Sequence, residues 1–512
     1  MLTLLSGSIY GQNRMISNQN LPNEPSIAMD PNNPNRLIAG SNIDNYYVSN
    51  DSGDTWSEHT LSSSYGVWGD PVIIVDTAGD FYFFHLSNPP SPGNWVDRIV
   101  CQKTTDAGAT WSDGSFAGLN GTKVQDKHWV VVDRTNNNIY VTWTQFDVYD
   151  STNPNDSTVI LFSKSTDAGS SWSTPIRISA QGGSCIDSDN AVEGAVPAVG
   201  PSGEIYVVWA GPEGLVFNKS LDQGNTWLPH EQLITTIPSG WNYTIAGINR
   251  TNGLPFISCD LSNGPNQGTI YVNWSDQRNG PTDTDVWLAK STDAGLTWSN
   301  PIRVNDDGVG KQQFFTSMAL DQTTGYLYFT FYDRRNHPTP GDTTDVYLAV
   351  SIDGGQSFLN RKISEQPFKP TGNIFFGDYT GIVAHAGIIR PIWTRLHNSQ
   401  LSIWTHLITA DDLFTLGLEE PIALQNLDFE NFPNPSTNYT DVSFKLHTVS
   451  IINLSVIDAN GKVVRSVIKD EKYGIGKYVK HIDFDELGLS NGDYLLKLTV
   501  DGVDKIVRQV KL

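Results

Sequence analysis

One eight-residue turn is written six times along the chain, and any fold must place the six copies equivalently. The pattern is Ser/Thr-x-Asp-x-Gly-x-Thr/Ser-aromatic, at Ser49–Trp56, Thr104–Trp111, Ser165–Trp172, Ser220–Trp227, Ser291–Trp298 and Ser351–Phe358. Each position has a use within a turn. The Asp carboxylate accepts N–H bonds from its own loop, and Gly supplies a positive φ at little steric cost. The closing aromatic can bury roughly 150–250 Å² against a neighbouring sheet.

The box aspartates are Asp51, Asp106, Asp167, Asp222, Asp293 and Asp353, and the longest interval lies between Asp222 and Asp293. A period that long, filled with short β-patterned runs, means one four-stranded sheet per repeat. One unit reads Phe256 to Asp260, Thr269 to Trp274 and Asp285 to Lys290, with Ile302-Arg303-Val304 after the turn. Its apolar residues alternate with polar or small ones, the pattern of half-buried strands. The turn is the Asp box, or BNR repeat, and over about residues 13–410 the chain resembles sialidase-type Asp-box β-propellers.

Inner strands starting near Pro25, Pro71, Lys127, Gly194, Pro255, Phe314 and Tyr379 give seven blades, against the six of sialidases. Six blades is the alternative. The seventh unit lacks both a box and a clear fourth strand. Arg14 to Gln19 matches the outer strands Arg177 to Gln181 and Lys362 to Gln366, so an N-terminal strand is expected to close the ring.

All fifteen tryptophans lie at or before Trp404, and 411–425 reads as an acidic, apolar linker. Residues 426–512 read as a small Ig-like β-sandwich with a hairpin at Asn460-Gly461. The Asn434-Pro435 entry, the Asp458-x-x-Gly461-Lys462 turn, Ser490 to Tyr494 and the basic last strand resemble the C-terminal sorting domain of type IX secretion. That resemblance implies export across a diderm envelope, contact with the secretion machinery through 426–512, and release or anchoring at the surface. Residues 1–12 read as the remnant of a signal peptide, with an ordinary first strand as the alternative.

Net charge is −22, and almost all of it falls ahead of Asn426. A surface that acidic argues against nucleic acid or anionic membrane as partner. There is no apolar run near ~20 residues, hence no expected membrane span. Cys101, Cys185 and Cys259 show no metal-ligand spacing and permit at most one intramolecular disulfide. A monomer is expected. No cofactor is implied, with Ca²⁺ left open at Asp147 to Asp156 and Asp283 to Asp285.

In an up-and-down blade the box joins strands three and four, so the box aspartates are structural and the working loops lie on the opposite face. The links there bring Glu24, Asp70, Asp126, Glu193, Gln313 and Asp378 to the starts of inner strands. The loops between strands two and three add Arg278 after Asp276, Arg334 and Arg335 after Asp333, and Arg395 with His397. Carboxylates for acid–base work and guanidiniums for a substrate carboxylate suit sialic acid hydrolysis. The resemblance therefore implies an exo-sialidase-type glycoside hydrolase acting on a glycan or glycoprotein. Asp70, Asp126, Asp378 and Tyr332 are its candidate catalytic residues, and Arg278, Arg334, Arg335, Arg395, Glu24 and Glu193 its candidate substrate contacts. Against it, a recurrent Asp-x-Arg can simply brace its own loop. The opening aromatic-Arg-Ile-Pro of sialidases has only Arg14 to Ser17 as its counterpart. A non-catalytic glycan- or protein-binding propeller is the alternative.

Overall fold

A computed structural model describes residues 13–90, 93–415, 429–446, 449–458, 462–500 and 503–512. The expected signal-peptide remnant, the Asn460-Gly461 turn and most of the linker lie outside those residues. The chain divides into two compact units near residue 413.

The first unit holds seven antiparallel sheets with at least four strands each. Their innermost strands are Ser26–Met29, Val72–Val75, Val124–Val132, Glu193–Val199, Phe256–Cys259, Gln313–Asp321 and Gly381–His385. Each packs against the next, and the last packs against the first, so the sheets are the blades of a closed propeller. Asn13–Ser17 is the outermost strand of the seventh sheet. It pairs with Gln400–His406 in the register Asn13 to His406, Arg14 to Thr405 and Met15 to Trp404.

The second strands run through the thickness of the ring, and Ile139–Phe146 and Ile205–Gly211 are buried at every residue. Polar residues within these blades are spent between neighbours. Thr142 donates to the Ala195 carbonyl at 2.6 Å, and Thr316 to the Asn273 side-chain carbonyl at 2.8 Å. Thr142 and Thr316 therefore face a neighbouring blade, where strict alternation would place solvent.

The boxes share one geometry. Asp293 accepts bonds from the Thr297 hydroxyl (2.5 Å), the Thr297 amide (2.9 Å) and the Ser291 hydroxyl (2.7 Å). Those donors, the Thr297 hydroxyl foremost, hold its pKa down to about 2. The box glycine lies on the preceding blade. A Cβ on Gly224, at φ +83°, would meet Phe162 at 2.4 Å, and one on Gly295 would meet Phe217 at 2.3 Å. Trp227 and Trp298 pack edge-on against the same two rings. Lysines complete the latch: Lys164, Lys219 and Lys290 donate to the carbonyls of Gln223, Ala294 and Gly354 in the box one blade on.

Sequence places the propeller's end at 410, but Ala410–Thr415 forms a helix and buries Leu413. Its start is a capping box, in which Thr409 and Asp412 bond reciprocally. The segment up to Leu413 is thus part of the first unit and not linker.

The second unit is a sandwich of three strands (Phe429–Phe432, Tyr439–Leu446, Gly476–Asp483) and four (Val463–Tyr473, Ser450–Asp458, Gly492–Val500, Val503–Lys511). Phe444, Ile452, Leu454, Val456, Leu496 and Leu498 fill it. Cys101, Cys185 and Cys259 are free and buried. Among the described residues no helix is long and apolar enough to cross a membrane.

Candidate functional site

Five of the seven inner strands are entered through a left-handed residue: Glu24 (φ 51°), Asp70 (51°), Lys127 (48°), Gly194 (70°) and Phe315 (50°). Four of these are not glycine, a conformation that costs of order 1–3 kcal/mol each and persists only where the surroundings enforce it. The turn carries each link over the mouth and down into the axial strand, so the flanking side chains converge on the axis. This is the face opposite the boxes.

Lys127 stands at the centre. Its ammonium lies 2.7 Å from Asp378, 3.8 Å from Asp70 and 3.9 Å from Glu24. Asp378 also takes the Arg250 guanidinium side-on, through Nε at 2.9 Å and through Nη2. Nη1 of Arg250 reaches Asp187 at 2.9 Å, and Asp187 accepts the Tyr149 hydroxyl at 2.8 Å. Asn42 ties two links together by donating to Glu24 and accepting the Asp70 amide at 2.8 Å. Asp126 accepts the Lys127 amide at 2.8 Å, and Asn252 donates to the Asp378 carbonyl at 3.0 Å.

Six carboxyl groups thus surround two cations, and four of them are shifted in opposite directions. Burial and the nearby Asp70 push Asp126 up to about 7. Burial, with Asp70, raises Glu24, and burial with Asp187 raises Glu193. Burial opposes ionisation of Asp378 as well, but Lys127 and Arg250 overcome it and hold that carboxyl well below the usual range. Divergent carboxyl pKa values in one recess are the arrangement that acid–base chemistry requires.

The candidate carboxylates therefore come together: Glu24, Asp70, Asp126, Asp378 and Glu193, the last lining one cavity with Lys127, Asp187 and Asp378. The candidate arginines do not join them. Arg278 is clamped by Asp276 (2.6 Å) and lies over Trp287 at 4.6 Å. Arg335 pairs with Asp333 at 2.8 Å and with Asp306, above the Tyr347 ring at 4.3 Å. Arg334 donates to Thr344 and to the carbonyls of Gly341 and Ala246. Arg395 covers Trp404 at 4.5 Å. Tyr332 is fully buried, donates to the Thr394 carbonyl at 2.6 Å and is packed by Phe314, Phe368 and Phe376.

Sequence reasoning missed Lys127, Arg250 and Asp187. Arg250 had a signal, because it lies in the longest interval between boxes, Asp222 to Asp293. The extra length there forms a small hairpin, Asn242–Tyr243 with Thr251–Asn252, and this delivers Arg250 over the axis. Lys127 immediately follows Asp126, and only the left-handed turn reveals that both converge on the mouth. Among the described residues no group of acidic, His or Cys side chains is arranged to hold a metal ion, at the Asp-rich loops or elsewhere. Asp147 is instead paired to Lys123 at 2.7 Å.

Among solved structures the chain is similar to Hadza microbial sialidase Hz136 (15% identity, 73% of each chain, TM-score 0.40). It is also similar to a single-site mutant of NanB sialidase from Streptococcus pneumoniae (10% identity, 74% of this chain and 84% of that one, TM-score 0.43). A third is the alpha-L-arabinofuranosidase Arb93A from Fusarium graminearum (11% identity, 80% and 100%, TM-score 0.45). Identities this low carry no activity across. No curated protein sequence matches the chain. The model of the secretion system C-terminal sorting domain matches residues 430–511. The C-terminal sandwich is thus a type IX sorting domain, and the protein is exported to the cell surface or extracellular space of a diderm bacterium.

Proposed function

We propose that the propeller is a glycoside hydrolase working by acid–base chemistry at its axial mouth. One observation carries this: Asp126, pushed up to about 7, stands in the same recess as Asp378, which Lys127 and Arg250 keep ionised. Glycosidic cleavage needs a proton for the leaving oxygen and a carboxylate that stays charged. Asp126 is assigned as the acid. Arg250, whose side chain is 38% exposed, is the cation that a bound sugar hydroxyl would meet. The exo-sialidase form of this reading needs guanidiniums free for a substrate carboxylate. Arg278 and Arg335 are engaged by carboxylates on their own blades, Arg334 by a hydroxyl and carbonyls, and Arg250 is already shared by two carboxylates.

A second reading, glycan binding without cleavage, is favoured by the burial of Glu24 and Asp378, which are 1% and 2% exposed. The test is reducing-sugar release from a panel of polysaccharides and aryl glycosides. Asp126→Asn should lower turnover by about 10²–10⁴-fold, the usual worth of a positioned acid. Asp293→Ala, in a box on the opposite face, should leave turnover per folded molecule unchanged. Glycans retained by the wild type without any release would favour the second reading.

A further inference from the structure

Beside the axial cluster, on the same face, two tryptophans stand open to solvent. Trp68, in the link that leads to Asp70, is 39% exposed, and Trp95, in the loop between strands two and three of the second blade, is 43% exposed. Their rings meet edge to face at 6.2 Å. Trp95 in turn meets Tyr149 of the third blade at 5.8 Å and 83°. The Tyr149 hydroxyl bonds Asp187, which binds Arg250, which binds Asp378. An unbroken line of contacts therefore runs from the exposed indoles at the rim to Asp378 in the axial cluster.

Most of the other tryptophans are tied into the ring in one of two ways. Those that close the boxes wedge between blades, and Trp143, Trp209, Trp274 and Trp393 are fully buried. Trp68 and Trp95 spend only part of their area on each other, so apolar faces remain toward water. Exposed apolar surface next to a polar recess marks a ligand site more than a packing defect. Flat aromatic faces suit the C–H faces of sugar rings, and hydroxyls around the edge can reach the polar groups inward. Charge narrows the class. The chain ahead of Asn426 carries nearly all of the net −22, and the axial recess holds more carboxyl groups than cations. Arg98 beside this rim is already paired with Asp97 at 2.7 Å. A polyanionic chain would be repelled on this approach.

We propose that Trp68, Trp95 and Tyr149 form a stacking platform that seats an extended, uncharged polysaccharide and leads it to the axial site. This rests on the reading of that site as glycan-processing and adds the substrate class: a neutral polymer, bound over several sugars.

The test is affinity electrophoresis of the full chain in gels containing mannan, starch, xylan, hydroxyethyl cellulose, alginate or polysialic acid. Retardation by at least one neutral polymer is expected, and none by the two polyanions. Trp68→Ala and Trp95→Ala should each weaken retention by about two- to ten-fold, the worth of one aromatic contact. Trp95→Phe should recover part of the loss, and melting temperatures should stay within a degree or two, since both indoles are exposed. Asp126→Asn should be retained like the wild type, because it removes chemistry and not the platform. Equal retention of the tryptophan variants and the wild type overturns the proposal, as does retardation by polyanions alone or by nothing. If the tryptophan variants bind normally while Asp126→Asn loses hydrolysis, the platform falls and the acid–base site stands. Tryptophan-dependent retention with no hydrolysis gives the converse.

Discussion

Asp126→Asn should stabilise the protein at alkaline pH and leave it unchanged in acid. The folded carboxyl has a pKa of about 7 against an ordinary value of 3.8. Each tenfold difference in proton affinity is worth 1.36 kcal/mol, so the full difference gives roughly 4 kcal/mol. Partial access of water brings the expectation to the order of 2–4 kcal/mol. The sign follows from proton binding. Between pH 4 and 7 the folded state holds a proton that the unfolded chain has released, so stability is full below about 4 and falls until about 7. Asparagine has no charge to bury, and its carbonyl can still accept the Lys127 amide that Asp126 accepts at 2.8 Å. For a unit of this size a gain of about 2–4 kcal/mol is roughly 2–5 °C in melting temperature. Calorimetry of wild type and variant at pH 4, 6 and 8 should show a difference near zero that grows with pH. A constant difference, or a variant less stable at pH 8, would mean that folding does not raise the Asp126 pKa.

Lys127→Met leaves Asp378, Asp70 and Glu24 facing one another, and should cost about 3–5 kcal/mol at pH 8. The loss should shrink toward pH 5 as the recess takes up protons, which denaturant melts at the two pH values would check. Gly224→Ala forces a Cβ into Phe162 at a positive φ and should destabilise by about 2–4 kcal/mol with glycan binding per folded molecule intact. Arg335→Ala removes the clamp on Asp333 and the cover on Tyr347, and should lower the melting temperature without changing affinity for any glycan. Truncation after residue 415 should leave a folded propeller that stays in the periplasm, read by fractionation and circular dichroism.

The boxes make the propeller legible, because a turn that needs Asp, Gly and an aromatic at fixed offsets leaves little freedom in residue type. The closing strand could be read too, since Arg14 to Ser17 repeats the outer-strand pattern and pairs where that pattern places it. Topology also put Glu24, Asp70, Asp126 and Asp378 on one face. What sequence does not carry is the backbone that turns them inward. The left-handed entries use Glu, Asp, Lys and Phe, which have no common signature. Asp-x-Arg is ambiguous for a different reason: the same spacing serves a clamp within one loop or a pair aimed at a ligand, and only the rings beneath Arg278 and Arg335 decide between them. Lys127 is not legible in the sequence, because a single lysine in a strand looks like solvated charge until its three carboxylate neighbours are in place.

The most direct test of the axial site is the pH dependence of kcat/KM on a neutral polysaccharide that the protein cleaves. With Asp126 as the acid, the rate should fall as pH rises through about 7, as Asp126 loses its proton, and the residual rate of Asp126→Asn should show no such limb. A profile flat between pH 5 and 9, or the same alkaline limb in wild type and Asp126→Asn, would contradict it.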